Sequence, residues 1–221
     1  MGCNLNSNMK RGVCALCCRY YMEQEDPELL QIGSDALRSP LAERFLQGTK
    51  RAVLTAGEVR PNDIVPVVAT SRNGRRACYP MQWGFHLNSR TLLPNARTES
   101  AAEKPLFREA WISHRCAVPA SWYYEWEHIL REDGKKETGD KYLLRPRAEH
   151  IAWLCGLYRF EDGFPHFSIL TRAPTEEIRF IHDRMPLILR KEDADSWICP
   201  ETKPEEILEH AVTDLHFEKA L

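Results

Sequence analysis

Four short segments of the 221-residue chain concentrate the side chains that could do chemistry. They are residues 17–21, 94–99, 122–126 and 181–186. The last of them places an imidazole, a carboxylate and a guanidinium next to one another at His182, Asp183 and Arg184, directly before a proline and an apolar run. We expect the fold to bring the four segments into one pocket.

Each reactive side chain has a chemical interpretation and a structural one. Cys17 supplies a thiol, which is a nucleophile once it is deprotonated. His182 can move protons near neutral pH, but a histidine at a helix end is often only a cap favoured by the helix dipole. Glu125 lies in an aromatic stretch, where it could be a partly buried general acid or base or one partner of a structural ion pair. Residue type alone leaves both interpretations open.

The composition is that of a globular protein, with 43% hydrophobic residues and no apolar run of about 18 residues that could cross a membrane. Residues 1–16 lack the apolar centre of a secretory signal. The eight cysteines are therefore expected to be reduced thiols in the cytoplasm. Cys14 and Cys17 could form half of a zinc site, but the second half is missing. No metal or other cofactor is predicted.

The charge is unevenly distributed along the chain. The net charge is −2, which by itself argues against non-specific binding of nucleic acid. Residues 50–97 nevertheless contain eight Lys or Arg residues against two acids. This permits one basic face on an otherwise acidic protein, although a solvated, arginine-rich loop region would give the same count.

The expected elements indicate the fold class. Turn residues, helix caps and apolar periodicity predict about seven strands and five short helices without a regular strand–helix–strand alternation. This favours a single α+β domain with a curved, mostly antiparallel sheet, an open or distorted β-barrel, and short flanking helices. Residues 63–69 are expected to form an edge or irregular strand because Pro66 interrupts them. Asp162 and Gly163 should turn a hairpin, and a helix opened by Pro174 should end near His182.

The order of several motifs carries a family resemblance. They are Gln-Trp-Gly at 82–84, Asn-Ala-Arg-Thr-Glu at 95–99, Arg-Cys-Ala-Val-Pro-Ala at 115–120, Tyr-Glu-Trp at 124–126 and His-Asp-Arg-Met-Pro at 182–186. Together they resemble the SOS response-associated peptidase (SRAP) family, whose members attach themselves covalently to abasic sites in single-stranded DNA. Each motif is weak alone, but their order along most of the chain is a specific signal.

The resemblance implies roles for eight residues. The catalytic group would be Cys17, Asn95, Glu125 and His182. The DNA-binding group would be Arg19, Trp83, Arg97 and Arg184. Arginine suits phosphate geometry, although Arg97 and Arg184 could instead brace the fold through carboxylates. Trp83 could stack on a base or be plain core.

The chain departs from the family pattern at Cys17, which is internal here and should follow the initiator methionine. An internal cysteine has an amide nitrogen and cannot form a Schiff base. Residues 1–16 are therefore expected to be a non-native or processed extension, and residues 17–221 the SRAP-like domain. Three explanations stay open: a true start at Leu16 read as methionine, autoproteolysis after Leu16, or an inactive member. A cysteine at position 18, where the family has glycine, is a second departure.

The resemblance thus implies a sensor of abasic single-stranded DNA, which we expect to act in the cytoplasm, at the nucleoid, as a monomer. Its reaction would join an N-terminal cysteine to the sugar aldehyde as a thiazolidine ring. This ring can form only if both the α-amine and the thiol of the cysteine are free. A thiol peptidase using Cys17 and His182 is one alternative. A non-catalytic single-strand binder is the other, and would show salt-sensitive binding without a covalent product.

Overall fold

The computed structural model describes residues 19–88, 90–131, 133–134 and 136–220. Within them the strands are β1 (Arg19–Met22), β2 (Gly57–Val59), β3 (Ile64–Thr70), β4 (Arg76–Trp83), β5 (Phe85–Asn88), β6 (Thr91–Leu93), β7 (Asn95–Arg97), β8 (Arg115–Ala120), β9 (Trp122–Leu130), β10 (Lys136–Pro146), β11 (Ala152–Glu161), β12 (Phe164–Arg172), β13 (Met185–Pro186), β14 (Ile188–Leu189) and β15 (Leu215–Lys219). The helices are α1 (Pro27–Arg38), α2 (Pro40–Thr49), α3 (Thr98–Ala101), α4 (Pro105–Ser113), α5 (Lys191–Ile198) and α6 (Pro204–Leu208).

Five of the strands close into a barrel. The hydrogen-bonded order runs β12, β4, β3, β8 and β11, and β11 pairs again with β12 to complete the ring. Only the pairings of β12 with β4 and with β7 are parallel among the described strands. Closure leaves no free edge in the ring, and its interior is filled by buried apolar side chains such as Val67, Val118, Leu154 and Phe167. The predicted α+β fold with a curved, mostly antiparallel sheet is confirmed.

A second, five-stranded sheet is built on the strand that leaves the barrel. Its order is β15, β10, β9, β1 and β2, and β9 follows β8 after the single residue Ser121. Side chains alternate along β9, so that Tyr123 and Glu125 are buried while Tyr124 and Trp126 are half-exposed on the other face. The sequence of one strand therefore supplies both an interior carboxylate and an aromatic surface.

Short helices cover the barrel. Asp26 caps α1 by accepting the backbone N–H groups of Glu28 and Leu29, and this helix packs on β3 and β4. The proline after each of Asp26 and Ser39 occupies the first helical turn, where its missing N–H removes no hydrogen bond. Helix α5 packs on β8 and β11. No helix among the described residues is long and apolar enough to cross a membrane.

Two expectations about individual elements are wrong. The strand interrupted by Pro66 is not at an edge, since β3 pairs with β4 on one side and β8 on the other. Pro66 is tolerated because pairing with β8 is confined to Val68 and Ala69. The helix expected after Pro174 is a single 3-10 turn, Glu176–Ile178. The hairpin turn is confirmed: Asp162 and Gly163 join β11 to β12 with φ angles of 50° and 82°.

Candidate active site

Glu125 is a buried acid on β9. Its side chain is 6% exposed, and its Cα lies opposite Tyr142 of β10. The backbone N–H of Trp126 lies 3.4 Å from its Oε1. A carboxylate on the inner face of an aromatic strand is costly to bury unless it is paired. The residues around Glu125 therefore indicate whether its role is structural or chemical.

His182 is a titratable neighbour of Glu125. The two side chains approach to 3.9 Å between His182 Nε2 and Glu125 Oε1, and the imidazole is only 2% exposed. The backbone N–H of His128 on β9 donates to the carbonyl of Ile181 at 2.9 Å. This hydrogen bond ties the segment that carries His182 to the strand that carries Glu125. The structure thus brings together two of the sequence-predicted catalytic residues.

The other ring nitrogen of His182, Nδ1, lies near both a backbone N–H donor and a carboxylate acceptor. The backbone N–H of Arg184 donates to Nδ1 at 3.0 Å, which favours the neutral tautomer with its proton on Nε2, toward Glu125. Asp183 Oδ1 also lies 3.0 Å from Nδ1 and would accept a proton from the imidazolium form. A proton on Nδ1 would therefore exchange the hydrogen bond from Arg184 for one to Asp183.

Asn95 opens β7 beside the barrel strand β12, where its Cα lies opposite Ile169. The residue before it, Pro94, accepts two hydrogen bonds at its carbonyl. One comes from the indole of Trp83 at 2.9 Å and the other from the backbone of Ile169 at 2.8 Å. The start of β7 is therefore anchored to two barrel strands, which fixes the backbone position of Asn95.

Trp83 is a core residue. It is fully buried, with 0% exposure, and packs against Tyr20 and Phe167 at ring distances of 5.2 and 6.1 Å. The predicted stacking of Trp83 on a base is therefore corrected, because its indole has no face open to a ligand. Its role is to hold Pro94 and, through it, the strand that carries Asn95.

Trp83→Phe is expected to lower the free energy of unfolding by about 1–3 kcal/mol, because it removes a buried hydrogen bond and part of a packed ring. Affinity for intact single-stranded DNA should not change. Chemical denaturation and fluorescence anisotropy measure the two quantities. Unchanged stability together with weakened DNA binding would restore the base-stacking role.

Arg184 braces the fold. Its guanidinium binds Glu99 through two hydrogen bonds of 2.6 and 2.7 Å and donates to the carbonyl of Thr171 at 2.5 Å. The ion pair joins the first turn of α3 to the segment that carries His182. This ion pair supports the bracing alternative for Arg184, and its binding of DNA phosphates stays a prediction.

The same ion pair gives a pH dependence. Hydrogen bonds from Arg184 lower the pKa of Glu99 to about 2 from its usual value near 4.5. A depressed folded-state pKa contributes stability that is present above about pH 4.5 and is lost as the pH falls toward 2. Glu99→Gln should therefore lower the free energy of unfolding at pH 7, by about 1 kcal/mol or less because Glu99 is half-exposed. Thermal melts of both proteins should converge near pH 2; an equal difference at both pH values would contradict the assignment.

The other two arginines of the predicted DNA-binding set lie at the surface. Arg97 is exposed at the end of β7. The side chain of Arg19 is 35% exposed, donates to Glu58 at 2.8 Å and lies over the ring of Trp126 at 5.1 Å. Trp126 and Tyr124, whose ring carries Lys141 Nζ at 3.6 Å, were not predicted as surface residues. The period-two alternation along β9 could have revealed them.

Two histidine clusters could hold a metal ion. His128, His182 and Asp183 have ligand atoms within 4.8 Å of one another, and so do His86, Glu161 and His166. His128 was missed by the sequence analysis because its contact with His182, a ring distance of 3.9 Å, joins two distant segments. In the first cluster the backbone N–H of Arg184 already occupies Nδ1 of His182. In the second cluster, Arg159 binds Glu161 at 2.7 Å and already places a positive charge beside this carboxylate.

Cys17, the predicted nucleophile, lies outside the described residues.

Comparison with known proteins relates the chain to one family by sequence. The family model described as SOS response associated peptidase (SRAP) matches residues 16–219. The abasic site processing protein YoaM of Bacillus subtilis is 36% identical over 117 residues, which cover 50% of this chain and 49% of YoaM. The abasic site processing protein YedK of Escherichia coli is 31% identical over 138 residues, which cover 61% and 60% of the two chains.

The match thus spans about half of the length of the Bacillus relatives. A crystal structure of a protein from Bacteroides thetaiotaomicron has the same fold, with a TM-score of 0.68 and 22% identity over 93% of this chain and 92% of that one.

Proposed function

Because the chain belongs to the SOS response associated peptidase (SRAP) family, we propose that it processes abasic sites in single-stranded DNA by linking itself to the opened sugar through Cys17. The names of the curated relatives support the substrate, since YoaM and YedK are both abasic site processing proteins. The buried pair Glu125 and His182 is the observation that carries the chemistry.

The position of β1 supports the choice of Cys17 as the nucleophile. The Cα of Arg19 lies opposite that of Tyr124, the residue before Glu125, and Cys17 precedes Arg19 by two residues. Cys17 thus precedes in sequence the strand that pairs with the strand of Glu125, which supports its choice as the nucleophile.

The proposed reaction joins the cysteine to the aldehyde of the ring-opened sugar in two steps. The α-amine adds to the aldehyde carbon, and the resulting carbinolamine loses water to form an imine. The thiol then adds across the C=N bond: sulfur bonds to carbon, its proton goes to nitrogen, and a five-membered thiazolidine ring closes. The net reaction releases one water and needs no oxidant or reductant.

Glu125 and His182 would move the protons of these steps. Loss of water from the carbinolamine needs a proton delivered to oxygen, and the amine and thiol each give up a proton. Glu125 is placed to exchange these protons, and His182 to return them through the 3.9 Å approach between the two side chains. Asn95, on its anchored strand, would orient the amine or a sugar hydroxyl by hydrogen bonding.

The reaction requires a free α-amine on Cys17, so residues 1–16 must be absent from the active chain. We propose that residues 17–221 are the active domain, generated by translation from codon 16 or by cleavage after Leu16. The family model begins its match at residue 16, which supports a boundary there.

Contacts with the DNA strand would come from the half-exposed face of β1, β9 and β10. Arg19 and Lys141 could bind phosphates, and Tyr124 and Trp126 offer aromatic rings on which bases stack. Arg97 would add a further phosphate contact from the end of β7.

The test is a denaturing gel of the protein incubated with a single-stranded oligonucleotide containing one abasic site. A heat-stable band shifted by one oligonucleotide, absent with the intact control sequence, is expected. Salt-sensitive binding to both oligonucleotides without such a band would indicate a non-catalytic binder and contradict the proposal.

A peptidase is the second candidate, because a buried acid beside a histidine also suits activation of a thiol. It differs in turnover. Peptide products released at many equivalents per enzyme, without DNA, would favour it over the crosslinking reaction.

A further inference from the structure

A cavity lies away from the candidate active site. It has a volume of about 500 Å³, within the range of about 300–1,000 Å³ that is usual for small-molecule sites. Helix α2, the ends of β3 and β11, and the start of β12 surround it. Its main polar and aromatic lining residues are Arg44, Arg72, Tyr79, His114, Tyr158 and Phe160.

This cavity and the candidate active site lie at opposite ends of β8. His114 directly precedes β8, whereas the strand β9 with Glu125 begins just beyond its other end. The six residues of β8 extend over about 20 Å. A ligand of the cavity would therefore not occupy the space around Glu125 and His182.

The charge of the cavity favours an anion. Two arginines line it, and none of its described lining residues is acidic. Arg44 is held in place because its Nη2 donates to the carbonyl of Gly163 at 3.2 Å and its guanidinium lies 5.7 Å from the ring centre of Phe164. Arg72 lies on the exposed turn between β3 and β4. Two guanidinium groups on different elements can bind one phosphate from two sides.

The remaining wall favours a planar group. The rings of His114 and Tyr158 meet edge to face at 5.0 Å, Met81 is a buried apolar wall, and Phe160 is 61% exposed next to them. Burial raises the pKa of Tyr158 to about 12, so its hydroxyl keeps its proton and can donate a hydrogen bond at neutral pH. An exposed aromatic ring beside a cavity with polar hydroxyls is typical of a site for a flat, partly polar ligand.

We propose that this cavity binds a free nucleoside 5′-monophosphate, with the phosphate between Arg44 and Arg72 and the base against Tyr158 and Phe160. The inference rests on the lining residues alone and does not depend on the crosslinking reaction. The 5′-phosphorylated end of a DNA strand presents the same chemistry, and the experiment separates it from the free nucleotide.

Isothermal titration calorimetry of the whole protein with deoxyadenosine monophosphate tests the proposal. Saturable binding is expected, with no detectable binding of deoxyadenosine or of inorganic phosphate at the same concentrations. Arg72→Ala and Arg44→Ala should each weaken binding by about tenfold or more, because each removes a charge-assisted hydrogen bond. Arg75→Ala removes an equal charge from the same turn but from a residue outside the cavity, and should leave the affinity unchanged.

Two results would overturn the inference. The first is no saturable binding of the nucleotide, which with binding of a 5′-phosphorylated oligonucleotide would assign the cavity to DNA ends. The second is equal weakening by Arg75→Ala and Arg72→Ala. Thermal melts and formation of the DNA adduct report whether each variant is folded. Arg72 is exposed on a turn, so its replacement should leave both unchanged.

Discussion

Replacement of Cys17 by alanine is expected to abolish the heat-stable DNA adduct completely. Alanine keeps the α-amine, which can form an imine with the sugar aldehyde, but it has no thiol to close the ring. The imine is reversible in water, so it should not survive heating. Cys17→Ser should also fail, because a neutral hydroxyl is a much weaker nucleophile than a thiolate.

Cys18→Ser is the matched control for this experiment. It removes a thiol from the adjacent residue, and the reaction does not use that thiol. Its adduct yield should equal that of the unmodified protein. An undiminished heat-stable adduct with Cys17→Ala, or loss of the adduct with Cys18→Ser alone, would mean that Cys17 is not the linking residue.

Glu125→Gln is expected to slow adduct formation by about 10²- to 10⁴-fold, the usual contribution of a positioned general acid or base. The amide keeps the size and shape of the carboxyl group but cannot exchange protons near neutral pH. The rate is measured by quenching the reaction of protein with abasic oligonucleotide at successive times. Affinity for an intact oligonucleotide should stay the same, because Glu125 faces the interior.

Glu127→Gln makes the same chemical change two residues along β9, on a half-exposed side chain, and should leave the rate unchanged. If both variants react at the unmodified rate, Glu125 has no part in the chemistry. If Glu125→Gln loses its thermal transition, the carboxylate is needed for the fold. Glu125→Asp then separates the two roles, since it keeps the proton exchange and retracts the carboxyl group.

The sequence predicts the architecture well where local patterns decide it. The Asp162–Gly163 turn follows from backbone conformations that these two residues adopt easily, and it sets the pairing of β11 with β12. The proline-capped starts of α1 and α2 are equally local. After Pro174 the sequence pattern predicts a helix, but the structure has only a 3-10 turn. The chain there is bound to β9 by the hydrogen bond between His128 and Ile181. Such a tertiary contact cannot be predicted from local sequence.

The sequence predicts the two buried residues of the candidate site correctly, and the residues expected to contact DNA less well. Glu125 and His182 meet as expected. Arg184 looked suited to phosphate, but its partner Glu99 is 85 positions away in the sequence, so only the fold reveals the ion pair. The prediction that Trp83 stacks on a base fails because barrel closure buries the ring. The aromatic side chains that are half-exposed are instead Tyr124 and Trp126, on the outer face of β9.

The most direct test of the crosslinking reaction is the intact mass of protein expressed with its native upstream DNA and incubated with an abasic single-stranded oligonucleotide. The proposed function predicts a chain that begins at Cys17 and carries one oligonucleotide, less one water for ring closure. A chain of the full printed length at its unmodified mass would contradict it.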